Sequence, residues 1–377
     1  GPMAAVAALL LPVGAPTPTN TDPLYTLDPS WPIGMPKLAR QFSAVAVDHT
    51  VAGKEIHVIQ RGPDMSAPVL VFNEGGELLR WWGNASCSFA NKTWGSHGIN
   101  IQFPPDGAAP KLWVFDFFAG KVLLHSPLGE LLDTAGSKQG TGVAPLQYGN
   151  VADGDFGPDG LVVITDGDGG VNNRVVALDT TKPLNSAAAL LWISGNAEGS
   201  PKASGDPKFS GPHSVAYHKP SGTVIVADRG HARLVFLDPK SGKQVGEWAC
   251  FAGEQALAGS PYGVRTISTQ QDDLVLIAAA DFPFAPATHA DWPQHQYLHI
   301  IDAAKMFGPN SGACEAVQSI RTDTSQCVTP HELGVDASNG DIYVACVGAN
   351  ATLGNPQGLQ RYRRGKGPKA AATVEEA

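Results

Sequence analysis
The sequence predicts an all-β protein: a six-bladed β-propeller in one domain, its ring closed by an N-terminal strand. Three observations carry that expectation. Of 377 residues 43 are Gly and 30 are Pro, and only 16% are charged, which suits many short strands joined by tight turns. A pattern of apolar strand, Asp, short turn, basic residue and apolar strand recurs at 112–124, 161–176 and 224–236. Three histidines, His97, His213 and His331, each open a short alternating run that reads as a strand, and they stand 116 and 118 residues apart. That spacing is twice a period of about 55 to 60 residues, and six such repeats fill the chain.

The elements follow in order. Gly1-Pro2 resembles the scar of tag cleavage. Met3 to Pro12 is apolar and short, as in a signal-peptide core, but lacks a basic flank. Residues 1–20 are expected to be an unstructured leader, 21–364 the propeller and 365–377 a disordered tail. Leu24-Tyr25-Thr26-Leu27 has strand character and should pair with the last blade. The blades are expected at about 42–83, 96–139, 149–195, 209–250, 261–321 and 329–364. A further strand follows a Gly-containing turn at 77–80, 130–132 and 243–246. The repeated Asp116, Asp166 and Asp228 should accept backbone N–H bonds in the turns. The fifth blade is interrupted at 283–296 by a Pro-, His- and Trp-rich insertion, which either covers the channel or forms a surface excursion. Sheets this small cannot bury both faces alone, so stacking around a ring is the expected solution.

Composition also excludes. The net charge of −9 argues against a nucleic-acid role, and no apolar run is long enough to cross a bilayer. Five cysteines show no C-x-x-C spacing, which argues against a cysteine zinc site. Cys346, within the run 342–346, reads as a buried free thiol; Cys250 and Cys314 lie in loops closing consecutive repeats and read as a bridge. Asn84, Asn91 and Asn350 begin glycosylation sequons. Sequons and cysteines together favour a secreted or endolysosomal, lumenal glycoprotein. A monomer is expected.

Alternate blades of a six-bladed ring lie about 120° apart, so His97, His213 and His331 should converge. Three neutral imidazoles leaving one position open form a catalytic zinc arrangement. The intervening repeats offer Ser43, Val151 and Tyr262 at the equivalent place, a distinction that repeat ancestry alone does not predict. Aligning Pro261-Tyr262-Gly263-Val264 with Pro212-His213-Ser214-Val215 places the Tyr262 phenol between His213 and His331, as an acid/base group or as a packed aromatic. Arg61 and Arg229 end strands that lead to the channel face; each is either a fork for a substrate carboxylate or part of a turn-stabilising ion pair. Arg174, Arg233 and Arg361 occupy the recurring basic position and read as structural. Asp153, Asp155 and Asp159 miss the EF-hand spacing and read as turn residues.

Residues 24–363 resemble the NHL-repeat propellers. Two families within that class carry the likeness. The peptidyl-α-hydroxyglycine α-amidating lyases are six-bladed propellers with zinc on three histidines from alternating blades, and His97, His213 and His331 fall on those positions. Arg61 in Ile59-Gln60-Arg61-Gly62 and Arg229 in Ala227-Asp228-Arg229-Gly230 fall on that family's basic active-site positions. Where those lyases carry a tyrosine thought to act as catalytic base, this chain has Asp168. The lyases also bind a structural calcium beside the third histidine, where Glu332 could supply a hard oxygen ligand. The chain is more similar to the NHL repeat-containing protein 3 family, through Asp166-Gly167-Asp168-Gly169-Gly170-Val171-Asn172-Asn173-Arg174 and the shared Cys250 and Cys314. The resemblance implies a secreted, zinc-dependent, carbon–nitrogen lyase acting on a small-molecule or peptide substrate. Zinc would sit on the histidines, with Arg61, Asp168, Arg229 and Tyr262 around the reacting groups. The alternative expectation is a non-enzymatic propeller, a platform for protein or glycan with a structural metal.

Overall fold
A computed structural model describes residues 23–37, 39, 41–62, 66–84, 87–89, 95–136, 146–170, 172–195, 208–252, 256–269, 272–281, 296–308, 312–322, 327, 329–347 and 358–365. The leader at 1–20, the tail beyond 365, most of the 283–296 insertion, and Asn91 and Asn350 lie outside them. The described chain forms six antiparallel sheets of four strands. Their innermost strands are Gln41–Asp48, Ser96–Gln102, Val151–Phe156, Pro212–His218, Ser260–Ser268 and Thr329–Val335. Each packs against the inner strands of the neighbouring blades, and the last packs against the first. The molecule is a six-bladed β-propeller.

The core is divided in the same way. Six apolar clusters of buried side chains each join two consecutive blades. Val215, Val224, Val226 and Val235 of blade 4, for example, meet Leu161, Val163, Val175 and Trp192 of blade 3. The middle strands are buried on both faces, as in Leu161–Asp166, and therefore read as continuous apolar runs. The outermost strands alternate, as in Leu78–Trp82 and Gln244–Trp248. Each fully buried Val, Leu or Ile contributes about 1.5–3 kcal/mol, so the gaps between blades supply the main drive to close the ring.

The recurring Asp and basic residue face each other across the second and third strands: Asp116 opposite Lys121, Asp166 opposite Arg174, Asp228 opposite Arg233. Asp116 Oδ1 accepts the Ala119 N–H in its own turn (3.0 Å). Asp166 and Asp228 reach further. Asp166 Oδ1 accepts the N–H groups of Gly149 and Asn150, at 2.8 and 2.9 Å, and Asp228 Oδ1 that of Ser210 at 2.7 Å. Each thereby ties the chain entering its blade to the end of the second strand. Ring closure follows expectation. Tyr25–Leu27 pairs with Leu359–Arg364, and Asp28 beside it binds Arg361 and Arg363.

Three readings need correction. Cys346 is not a free thiol but is bonded to Cys327, because the chain entering the last inner strand runs beside Ile342–Val347. Cys250–Cys314 is bonded as expected, and Cys87 is the free cysteine. Asp153 and Asp155 are not turn residues; they lie on the inner strand Val151–Phe156 and face the channel, while Asp159 is in the turn. The blade-3 equivalent of the histidines is Ala152, not Val151, for the reason given next.

Candidate metal centre
Every inner strand carries a β-bulge at one position. The pairing register shifts across Ser43, His97, Ala152, His213, Tyr262 and His331. A bulged residue is released from the alternation of the strand and can be aimed independently of its neighbours. All six blades use that freedom to turn one residue toward the axis. His, on blades 2, 4 and 6, alternates with Ser, Ala and Tyr on blades 1, 3 and 5.

The bulges also orient the imidazoles. His97 Nδ1 donates to the Ala152 carbonyl (2.9 Å), His213 Nδ1 to that of Tyr262 (2.9 Å) and His331 Nδ1 to that of Ser43 (2.7 Å). Each histidine is therefore held by the bulge carbonyl of the following blade. A proton on Nδ1 leaves a lone pair on Nε2, the tautomer a metal requires. The three rings form an even triangle, with centroids 4.6 Å apart in every pair. Nε2 of His213 and His331 face each other at 3.2 Å. Two bare lone pairs at that distance repel unless a cation lies between them, and two nitrogens on one zinc sit about 3.3 Å apart. The donor set fits a first-row divalent ion. Burial, mutual repulsion and nearby arginine hold His213 and His331 well below their ordinary 6.5, so both are neutral at physiological pH.

The other expected residues gather on the same face. Asp168 Oδ2 lies 3.0 Å from His97 Nε2, and its Oδ1 accepts from Arg229 Nη2. Burial would raise the Asp168 carboxyl, but Arg229 and His97 hold it well below the usual range. The Arg229 guanidinium stacks 4.7 Å over the Tyr262 ring, which stands 5.0 Å from His213 and 5.9 Å from His331. Burial, with Asp168, pushes the Tyr262 phenol up to about 12 against the pull of Arg229 and Arg61. Arg61 is buried, and that burial lowers it to about 10 while Asp168 opposes the fall. Phe117 stacks on His97 at 5.8 Å. The three histidines are at most 2% exposed.

Glu332 belongs to a layer beneath. Its Oε1 is 3.2 Å from Nδ1 of His213, on the side of the ring away from Nε2. Asp153, Ser214 and Arg265 complete this layer, and the sequence reading assigned none of them to the site. Arg265 forks onto Asp153 (2.7 and 3.0 Å) and donates to the carbonyls of Val215 and Val264. Ser214 Oγ bonds Asp153 and Glu332 at 2.7 and 3.1 Å. Burial, reinforced by Asp153, raises Glu332 well above its ordinary value. The Asp153 carboxylate and the Val215 and Val264 carbonyls thus already hold the Arg265 guanidinium. One signal could have revealed the layer: Asp153, Ser214 and Glu332 all follow the bulged position. Beyond Arg265 the opposite mouth of the channel opens into a cavity of about 790 Å³.

Comparison with known proteins agrees with this architecture. The NHL repeat family matches residues 209–235, the first two strands of blade 4 with the His213 bulge and the start of the third. NHL repeat-containing protein 3 of Mus musculus is 32% identical over 338 residues, covering 87% of this chain and 83% of its own length. The Homo sapiens protein of that name is 31% identical over 86% and 82%. Among solved structures, a Bacteroides thetaiotaomicron protein of unknown function superposes with a TM-score of 0.54 at 11% identity, covering 86% of this chain and 70% of its own. A luciferin-regenerating enzyme superposes at 0.53 with 10% identity, over 89% and 95%. At such identities these structures share the fold alone. With nearly a third of its residues identical to the mouse and human proteins over most of both lengths, the chain belongs to the NHL repeat-containing protein 3 family.

Proposed function
We propose that the protein is a secreted or lumenal, zinc-dependent enzyme of the lyase type. The reading rests on one observation: three Nδ1-anchored imidazoles presenting their Nε2 atoms to a common point. Two disulfides suit an oxidising compartment, and no helix among the described residues is long and apolar enough to cross a membrane. Zinc on His97, His213 and His331 would supply a Lewis acid for an oxygen of the substrate. Arg61 and Arg229 give the pocket a net positive charge against one Asp168, which favours a substrate ending in a carboxylate. Asp168 is anionic at neutral pH and is the base; Tyr262 is protonated and is the acid. Cleavage of a peptide ending in α-hydroxyglycine fits this pair. Asp168 takes the hydroxyl proton, the C–N bond breaks as C=O forms, and Tyr262 protonates the departing amide nitrogen. The products are a peptide amide and glyoxylate.

A second reading has a specific observation behind it. The histidines are at most 2% exposed, as suits a structural metal in a binding propeller. Elemental analysis beside His213→Ala separates metal from no metal. About one zinc per chain, lost in the variant, is expected. Glyoxylate release from α-hydroxyglycine peptides then separates the two readings: zinc without turnover on any such peptide leaves the binding propeller.

A further inference from the structure
We propose that Asp168 is a fourth, exchangeable protein ligand of the metal, held in place by Arg229 until a substrate carboxylate takes that arginine. This rests on the reading that the three histidines hold a divalent ion. The geometry points to it in two neighbouring contacts. Nε2 of His213 and His331 face each other at 3.2 Å, and Asp168 Oδ2 stands 3.0 Å from Nε2 of His97, the atom that would hold the same ion. Both lengths are near the edge of a ligand tetrahedron about a zinc, roughly 3.3 Å. A cation held by the histidines would draw Asp168 Oδ2 to itself as well.

The loop that carries Asp168 is longer than its counterparts on blades 2 and 4. Blades 2 and 4 join their second and third strands through four residues, 117–120 and 229–232. Blade 3 uses seven, 167–173, between Leu161–Asp166 and Arg174–Asp179. The extra length is fastened at its far end. Asn172 Nδ2 donates to Asp166 Oδ2 at 2.8 Å, and Asn173 Oδ1 accepts the Gly211 N–H at 2.8 Å. Gly169 takes the left-handed turn (φ 78°) that a side chain would resist, directly after Asp168. Arg229 occupies Oδ1, so Oδ2 alone is turned to the histidines.

Charge completes the argument. A divalent ion among neutral imidazoles, with Arg61 and Arg229 beside it, is a strongly cationic buried site in which Asp168 is the anion that the chain supplies. An incoming α-hydroxy carboxylate offers a second anion for the same arginine. Its carboxylate would pair with Arg229 and release Asp168 from its anchor, leaving the place of Oδ2 open to the hydroxyl. Asp168 is then free beside that hydroxyl, where a base is needed. The ligand and the base are the same residue at different stages.

The test uses the full chain loaded with cobalt(II) in deuterated water, read by electron spin-echo modulation for solvent deuterons at the metal, together with zinc affinity by chelator competition. Wild type is expected to show no directly bound solvent. Asp168→Ala and Asp168→Asn should both show it, with zinc bound at least 10-fold more weakly. Adding glycolate to wild type should perturb the cobalt absorption spectrum, and Arg229→Lys should require more of it. Solvent deuterons on the wild-type metal, with zinc affinity unchanged in both variants, would sink the proposal while leaving the histidine site intact. A wild type that takes up neither cobalt nor zinc overturns the underlying metal reading itself. The wild-type spectrum needs no variant to fold.

Discussion
His213 shows how much one side chain carries. Its Nδ1 meets the Tyr262 carbonyl and its ring faces both partner histidines, while Glu332 presses from behind. Burial and Asp153 oppose the charge of Glu332, so an uncharged amide of the same shape should replace it without loss. Glu332→Gln is expected to be at least as stable as wild type at pH 7.5, because the amide needs no proton taken up on folding, and to leave zinc affinity unchanged. Were calcium held there, the substitution would abolish a calcium-dependent rise in melting temperature that wild type would show. Tyr262→Phe is the complementary change. It removes the proposed acid without touching the bulge, so turnover should fall about 100-fold or more with zinc retained. Unchanged turnover would return the phenol to the role of a packed ring. The histidines were legible in the sequence because three identical residues recur on alternate repeats. Arg265 was not, since nothing in a strand alternation tells an inward Arg on Asp153 from one reaching solvent.

At the scale of elements, the bulge explains both what the sequence revealed and what it hid. Strand, Asp, turn and basic residue are local signals, and the blades were found where those signals lie. A bulge has no such signature, so counting along the alternation gave Val151 in place of Ala152. Gly98 marks its steric consequence. A Cβ there would collide with the Ala152 oxygen that anchors His97 and would lie 3.0 Å from Phe115 Cδ2. Gly98→Ala should push blades 2 and 3 apart, costing about 1–3 kcal/mol in urea unfolding. Losing the second-layer carbonyl should weaken zinc binding about 10-fold or more by chelator competition. A variant as stable as wild type with unchanged zinc affinity would show that the carbonyl does not hold the ring. Cys346 hid for a related reason: its partner Cys327 lies in the approach to a neighbouring strand, a proximity set by the sheet and not by the run around it.

At the scale of the whole molecule, the site stands where all six blades meet, so its protonation is coupled to folding. His213 and His331 have folded values held well below 6.5 by burial. As pH falls through 6.5 the unfolded chain takes up protons that the folded centre refuses, so their contribution is present above 6.5 and is lost on acidification. Each adds up to about 1.4 kcal/mol per pH unit to that slope. His57, His125 and His299 are lowered by burial as well and steepen the same limb. Glu332 works in the opposite sense. Its raised folded value makes its contribution full below 4.5 and progressively lost as pH rises toward that folded value. Metal-free wild type should therefore unfold most easily on acidification below 6.5, and His213→Ala should reduce the steepness by up to about 1.4 kcal/mol per pH unit. Glu332→Gln should remove a component of the alkaline decline. Zinc does not change these signs, because the bound imidazoles are neutral too. It lifts the whole curve by about 2.7 kcal/mol at one hundred times its dissociation constant, and carries the acid limb to lower pH until protons win the nitrogens. Urea midpoints from pH 5 to 8.5, with chelator and with zinc, measure all of this at once. A zinc-induced lift in wild type that persists undiminished in His213→Ala would place the ion somewhere other than the ring's axis.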